Sequence, residues 1–369
     1  MRSMPKWTGS AITLLLITAP VVAHHSAAIY DQDRDLSLQG VVTKFKWANP
    51  HVYIQVETKN DAGENVEWII ETQTPAGMSR EGWSSRSLVP GDKVTIAANP
   101  ARNPDRRMAL GHTVLKEDGT VLEIPQLRGR RGPPPVDLPT PIVAESLSGL
   151  WTTRWNPEVA LGFLRARTSW SLTDKGIAAM DSYDSSMNPG NDCVPEPVPY
   201  VMIWPTGKSL EIGEELTVIR DELGGERRVY MNADSHDGAV YADQGHSIGW
   251  WEDDVLVLDT THFANHRRGL SVGRLASGRH KHLIERFALG PNRTTMHYTF
   301  RLEDPEYLAE PVTGKLELVY RPDLPFVNEP CDLERSSLPR TVVRGNQTTV
   351  DCEHSRAQMK GRSWPTADM

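Results

Sequence analysis

Two groups of residues in this chain have types and spacing that suit chemistry. The first is His24, His51 and His112. Cleavage of an export signal after Ala23 would leave His24 as the N-terminal residue, with a free amine and an imidazole on one residue. Those two nitrogens form a chelate around a soft or borderline metal, and a third from His51 or His112 completes a three-nitrogen set suited to Cu(II). Copper is therefore the cofactor expected here. The plainer alternative makes His24-His25-Ser26 a polar terminus and His51 a turn histidine after Asn49-Pro50.

The second group is His246, His282 and Glu285, with His236, Asp237, Asp259 and His262 nearby in sequence. Strand alternation places His246 with Ile248 and Trp250, and His282 with Ile284 and Arg286, which points both imidazoles toward a mostly apolar barrel interior. Glu285 alternates onto the face of Leu283 and Phe287. These assignments conflict, because His282 and Glu285 cannot both point inward without a bulge. A carboxylate on an apolar face needs a partner or a raised pKa. The chemistry expected is proton transfer by His246 with Glu285 or His282 in a hydrolysis, elimination or isomerisation. Trp250, Trp151 and Arg228 are expected to line the ligand pocket. The alternative is a buried network, with His246 satisfied by a backbone carbonyl and Glu285 paired with Arg228 or Arg286.

The elements that must position these groups are mostly strands. Residues 1–23 read as a signal peptide: Arg2 and Lys6 precede an apolar run from Ala11 to Thr18 that is too short to span a bilayer, and Val21-Val22-Ala23 ends in a small residue. The expected location is periplasmic or secreted, with no integral membrane segment. From 24 to 126, short strands at Leu38–Phe45, Val52–Val56, Val66–Ile70, Lys93–Ile96 and Met108–Leu115 surround one short helix at Thr74–Trp83, the pattern of a small OB-like barrel. Residues 127–146, rich in Pro and Arg, read as a linker. From 147 to 335 about eight strands and a single helical window, Asp174–Ser182, predict a lipocalin-like antiparallel β-barrel. Its clearest hairpin is His246–Trp251 and Val255–Thr261 around Glu252-Asp253-Asp254. Residues 336–369 form a polar tail. The fold class is thus mainly β, with two barrels.

A formal net charge of −8 excludes a general nucleic-acid binder, whose electrostatic term needs a basic face. Three cysteines are too few for a disulfide scaffold; Cys193 and Cys331, both beside prolines, are the expected pair. Gly245-His246-Ser247-Ile248-Gly249 is not a nucleophile elbow, since its serine stands one place late.

The segments Ala23-His24-His25-Ser26, Gly40-Val41-Val42, Asn49-Pro50-His51-Val52, Gly91-Asp92-Lys93-Val94 and Gly119 resemble an uncharacterised family of exported bacterial OB-like domains over residues 23–125. Gly245 to Asp254, Leu256 to Thr260 and His282 to Phe287 resemble a second uncharacterised family, of lipocalin-like barrels, over residues 147–335. Relatives of the second usually carry Arg at position 250 and Gly at 253, where this chain has Trp250 and Asp253. Neither resemblance implies an activity. The function expected from the residues is an exported protein that binds a small apolar or aromatic molecule in its second barrel. The alternatives are a periplasmic hydrolase, lyase or isomerase, and a structural or interaction module of the cell envelope.

Overall fold

The computed structural model describes residues 29–125, 141–183, 188–231, 233–271 and 274–336. The expected signal peptide, His24, residues 127–140 of the expected linker, Cys352 and the tail beyond residue 336 lie outside the described residues.

The chain is mainly β, in two closed barrels. The first contains β1 (Leu36–Lys46), β2 (Tyr53–Lys59), β3 (Asn65–Glu71), β4 (Lys93–Pro100), β5 (Met108–Lys116) and β6 (Val121–Glu123). The sheet runs β3-β2-β1-β4-β5-β6, and a parallel pairing of β3 with β5, Ile70 opposite Ala109, closes it. Alternate residues Val42, Ile54, Val56, Ile70, Ile96 and Val114 point inward and form the core. Gly40 lets β1 lie tight on β2, since a Cβ there would sit 2.3 Å from the Glu57 carbonyl oxygen. Helix α1 (Pro75–Arg80) is shorter than the expected 74–83. Thr74 caps its start by accepting from the Gly77 N–H, and Gly82 at φ +84° ends it, a left-handed position that favours glycine.

The second barrel uses β7 (Gly149–Thr153), β8 (Gly207–Glu211), β9 (Leu216–Asp221), β10 (Glu226–Tyr230), β11 (His246–Glu252), β12 (Val255–Thr261), β15 (His282–Leu289), β16 (Thr295–Glu303) and β17 (Val312–Tyr320). It closes in the order β10-β11-β12-β15-β16-β17-β7-β8-β9. A separate ribbon pairs β13 (His266–Ser271) with β14 (Leu275–Ser277). Every neighbour in the barrel is antiparallel except β10 and β11, which run parallel with Tyr230 opposite Ile248. Parallel neighbours need a crossover, and the one between β10 and β11 brings His236 to the outer-face residues His246 and Asp259. The expected 246–261 hairpin is present, and Asp253 sits at φ +50°, a left-handed position that favours glycine.

Helix α4 (Asp174–Asp181) matches the expected helical window, while α2 (Pro157–Leu164) and α3 (Ala166–Ser169) are additions to it. Asn156 caps α2 by accepting from the Glu158 and Val159 N–H groups. A last turn, α5 (Leu333–Ser336), ends the described chain. Trp151, Leu258, Phe287, Tyr298, Phe300 and Leu318 are among the side chains that fill the second core.

The barrels meet at the Asn49-Pro50 turn. Asn49 is buried, and its amide donates to the Glu222 and Glu329 carbonyl oxygens at 3.2 and 2.6 Å. Its backbone N–H reaches the Pro330 oxygen, and the Asp332 N–H returns to the Asn49 oxygen. Arg80, at the end of α1, pairs with buried Glu222. The strap that holds Asn49 is itself anchored, because Cys331 is disulfide-bonded to Cys193, the expected pair.

Candidate functional site

The inner and outer faces of β11, β12 and β15 decide where the second group of residues lies. On β15 Leu283, Glu285 and Phe287 are buried, while His282, Ile284 and Arg286 are partly exposed on the other face. On β11 Ser247 and Gly249 point inward, because a Cβ on Gly249 would meet Val229, Met231 and Leu258. His246 and Trp250 therefore point out. The expectation that His246 and His282 face the barrel interior is corrected on this ground. The expected conflict with Glu285 also dissolves, since β15 keeps an unbroken register with both neighbours and alternation alone separates the two groups.

Glu285 is fully buried and takes two hydrogen bonds from Arg227, one of them at 3.2 Å, and one from the Tyr298 hydroxyl at 2.8 Å. Its partner is thus Arg227 rather than Arg228 or Arg286, which lie outside and pair with Glu226 and Glu252. The three residues expected to line a pocket do not meet. Trp151 is buried in the core, its indole N–H donating to the Leu147 oxygen and its ring 4.9 Å from Tyr320. Trp250 and Arg228 are exposed on the outer wall.

In the first barrel, His51 Nδ1 lies 2.5 Å from Glu71 Oε1, and Glu71 also accepts from the Tyr30 hydroxyl. His112 Nε2 lies 2.5 Å from Asn99 Oδ1. Each imidazole thus has a protein partner. Among the described residues no three His, Cys, Asp or Glu side chains form a group able to hold a metal ion. An open groove of about 800 Å³ on this barrel, with Gln39, Glu57, Lys59, Trp68 and Arg107 along it, contains neither histidine.

The outer wall of the second barrel instead gathers a histidine cluster around Asp259. The register puts Thr261 opposite His246, and Asp259 and Thr261 share the outer face of β12. Asp259 Oδ1 lies 2.9 Å from His282 Nε2 and 3.4 Å from His236 Nε2. His236, on the crossover, places its Nδ1 2.8 Å from His246 Nδ1. The other face of the His246 ring stacks on Tyr230, with centroids 5.0 Å apart. His262, held at φ +53°, brings its ring 5.9 Å from His236 and 6.4 Å from His246. The crossover is pinned here: Ala242 N–H donates to the His262 oxygen, Ala264 N–H to the Ala242 oxygen, and the Gln244 amide to the Glu196 oxygen.

This arrangement biases tautomers. A carboxylate favours N–H groups near it, so the hydrogen bond to Asp259 places a proton on His282 Nε2, and the same oxygen, 3.4 Å from His236 Nε2 without a hydrogen bond to it, favours a proton there by charge. His236 Nδ1 then accepts from His246 Nδ1–H, which leaves the lone pair of His246 on Nε2. The protonation states diverge as well. Burial lowers the His246 pKa, and the neighbouring His236 and His262 rings lower it further. The hydrogen bond to Asp259 raises that of His282 against the effect of burial. Burial alone would raise the Asp259 carboxyl, but the His282 and His236 contacts hold it below its ordinary value. One imidazole is thus biased to the neutral base and the other to the cation, the arrangement by which paired groups divide base and acid roles.

Of the expected residues, the structure brings His246 and His282 into one site and sends Glu285 to another. His236, Asp259 and His262 complete the site. Alternation along β12 could have placed Asp259 with the outer row; His236 arrives on a crossover that no periodicity marks.

Comparison with known proteins adds one match: a family of unknown function, DUF6152, matches residues 13–109, which take in most of the first barrel. No curated protein and no solved structure matches the chain.

Proposed function

We propose that this protein is an exported enzyme whose second barrel carries an acid–base site on its outer wall, performing a hydrolysis, elimination or isomerisation. The observation that carries this reading is Asp259 held between His282 and His236. It ties a histidine biased to the cation to a relay that ends in the free Nε2 lone pair of His246. In the forward step His246 Nε2 takes a proton from the substrate or from an attacking water. His282, whose Nε2–H stays on Asp259, delivers one from Nδ1 to the group that gains negative charge, and Asp259 steadies the imidazolium that forms on the relay. Positioned acid–base groups of this kind contribute about 10²–10⁴-fold each.

Export is supported by the basic and apolar start of the chain and by the Cys193–Cys331 disulfide, a bond that persists in oxidising compartments. A carrier of a small apolar molecule inside the barrel is the weaker reading. Trp151, Phe287, Tyr298 and Phe300 already fill that core, Tyr298 on the Arg227–Glu285 pair itself, and a ligand would have to displace them.

The test is a panel of activated esters, phosphodiesters and β-elimination substrates assayed with the mature protein and its variants. His246→Gln is expected to lower kcat by at least 100-fold and Asp259→Asn by 10-fold or more, with both variants folded. Turnover that survives His246→Gln unchanged would overturn the assignment.

A further inference from the structure

The acid–base reading leaves open what the substrate offers the protein besides a proton, and the segment that leads into His282 speaks to that. Arg279 lies three residues before His282, and its guanidinium sits 4.8 Å from the centroid of the Tyr241 ring. Tyr241 in turn lies 5.1 Å from the His262 ring, and His262 closes on His236 and His246. A chain of ring contacts, tilted between Tyr241 and His262 and edge-on at His246, therefore runs from the relay to an arginine head group. Both ends of this arginine are fixed. Its root follows Gly278, whose N–H donates to Asp304 Oδ2 at 2.8 Å and whose Cα packs so close to Glu306 that a Cβ would clash with it.

The nearby carboxylates are already engaged. Asp259 serves His282 and His236, Glu303 serves His282 and Arg301, and Glu306 serves Lys175 and His280. Among the described residues Arg279 has an aromatic ring as its partner and no carboxylate. A guanidinium held over a ring by its charge keeps its N–H donors free of a carboxylate partner, and their fork matches the two oxygens of a carboxylate, phosphate or sulfate. The contact with the ring also lowers the entropy lost when that fork closes on an anion.

We infer that Arg279, seated over Tyr241 and three residues before His282, is an oxyanion subsite, and that the substrate of the outer-wall site carries a carboxylate, phosphate or sulfate group. This rests on the acid–base reading for its place in catalysis, but the binding itself does not depend on His246. The exposed aromatic rings of Tyr230 and Tyr241 flank the same path and suit a substrate with a planar or apolar body attached to that anion.

Calorimetric titration of inorganic phosphate, sulfate and benzoate into the mature protein tests the subsite. Saturable binding of at least one anion is expected, weakened 10-fold or more by Arg279→Ala and less by Arg279→Lys, which keeps the charge without the planar fork. Tyr241→Leu is expected to weaken it several-fold, and His246→Gln to leave it within about twofold. Preference for phosphate, sulfate or benzoate identifies the anion carried by the substrate. If none of the three saturates the protein, or if Arg279→Ala binds as tightly as the unaltered chain with the fold intact, the inference is wrong. A normal His246 and His282 titration in that case leaves the acid–base reading standing. Anion binding lost with Arg279 while turnover survives His246→Gln would sink the acid–base reading alone.

Discussion

Glu285 and His282 stand three residues apart on one strand and face opposite sides of the same wall, and their surroundings differ in kind. Inside, Glu285 is sealed among apolar side chains, and Arg227 and Tyr298 occupy its oxygens. Outside, His282, Asp259, His236 and His246 form a chain that is partly exposed and ends in the lone pair of His246 Nε2. Burial gave the inner group its partners, and a group whose partners are complete has nothing left to offer a substrate. The outer group is less buried yet has its protonation states pulled apart. A buried carboxylate in a barrel is therefore a poor guide to catalysis beside a partly solvated histidine held by a shared carboxylate.

The difference predicts opposite responses to mutation. Removing one member of the inner pair, by Glu285→Ala or Arg227→Ala, strands a buried charge and is expected to cost about 3–5 kcal/mol in urea denaturation. Tyr298→Phe, which removes one hydrogen bond to Glu285, is expected to cost about 1–2 kcal/mol. Replacing His246 by Gln on the outer wall is expected to change stability by no more than about 0.5 kcal/mol. Comparable losses from the inner and outer sets would erase the distinction.

A buried histidine sharpens the contrast through pH. His266, in β13, is pushed down to about 3, first by burial and then by the nearby Lys281 and Arg268 charges. The unfolded chain binds its proton near pH 6.5, so between these values the unfolded state holds more protons and stability falls as pH falls. The loss from this residue amounts to roughly 4–5 kcal/mol once the pH is below 3. The outer His282 has the opposite sign: its stabilising contribution is present below pH 6.5 and fades as pH rises through its raised folded value. Denaturation midpoints from pH 7 to 3 are expected to fall steeply, and His266→Gln to flatten that slope.

Much of the fold was readable from residue order, and the reasons are local. Alternation in β1 to β5, the Thr74-Pro75 helix start and the Glu252-Asp253-Asp254 turn are short-range signals, and each marks an element that formed. The same alternation paired His246 with Trp250, and His282 with Arg286, correctly as faces. It failed to say which face was inner, because that depends on packing across strands: Gly249 must face Val229 and Leu258 for the wall to close. His236 reaches the site only through the β10–β11 crossover, a consequence of one parallel pairing that no local pattern announces. Asn49, prominent in sequence beside His51, acts at the junction of the barrels, where its partners Glu222 and Glu329 are remote in the chain.

The central claim is that the outer-wall cluster divides His282 and His246 into acid and base, Asp259 raising the first while burial and the His236 and His262 rings lower the second, and nitrogen-detected NMR titration of the histidine rings tests it most directly. His246 is expected to titrate below pH 6.5 as the Nδ1–H tautomer and His282 above it, with Asp259→Asn moving His282 down. Coincident titration of the two rings near pH 6.5, or the reverse order, would contradict the account.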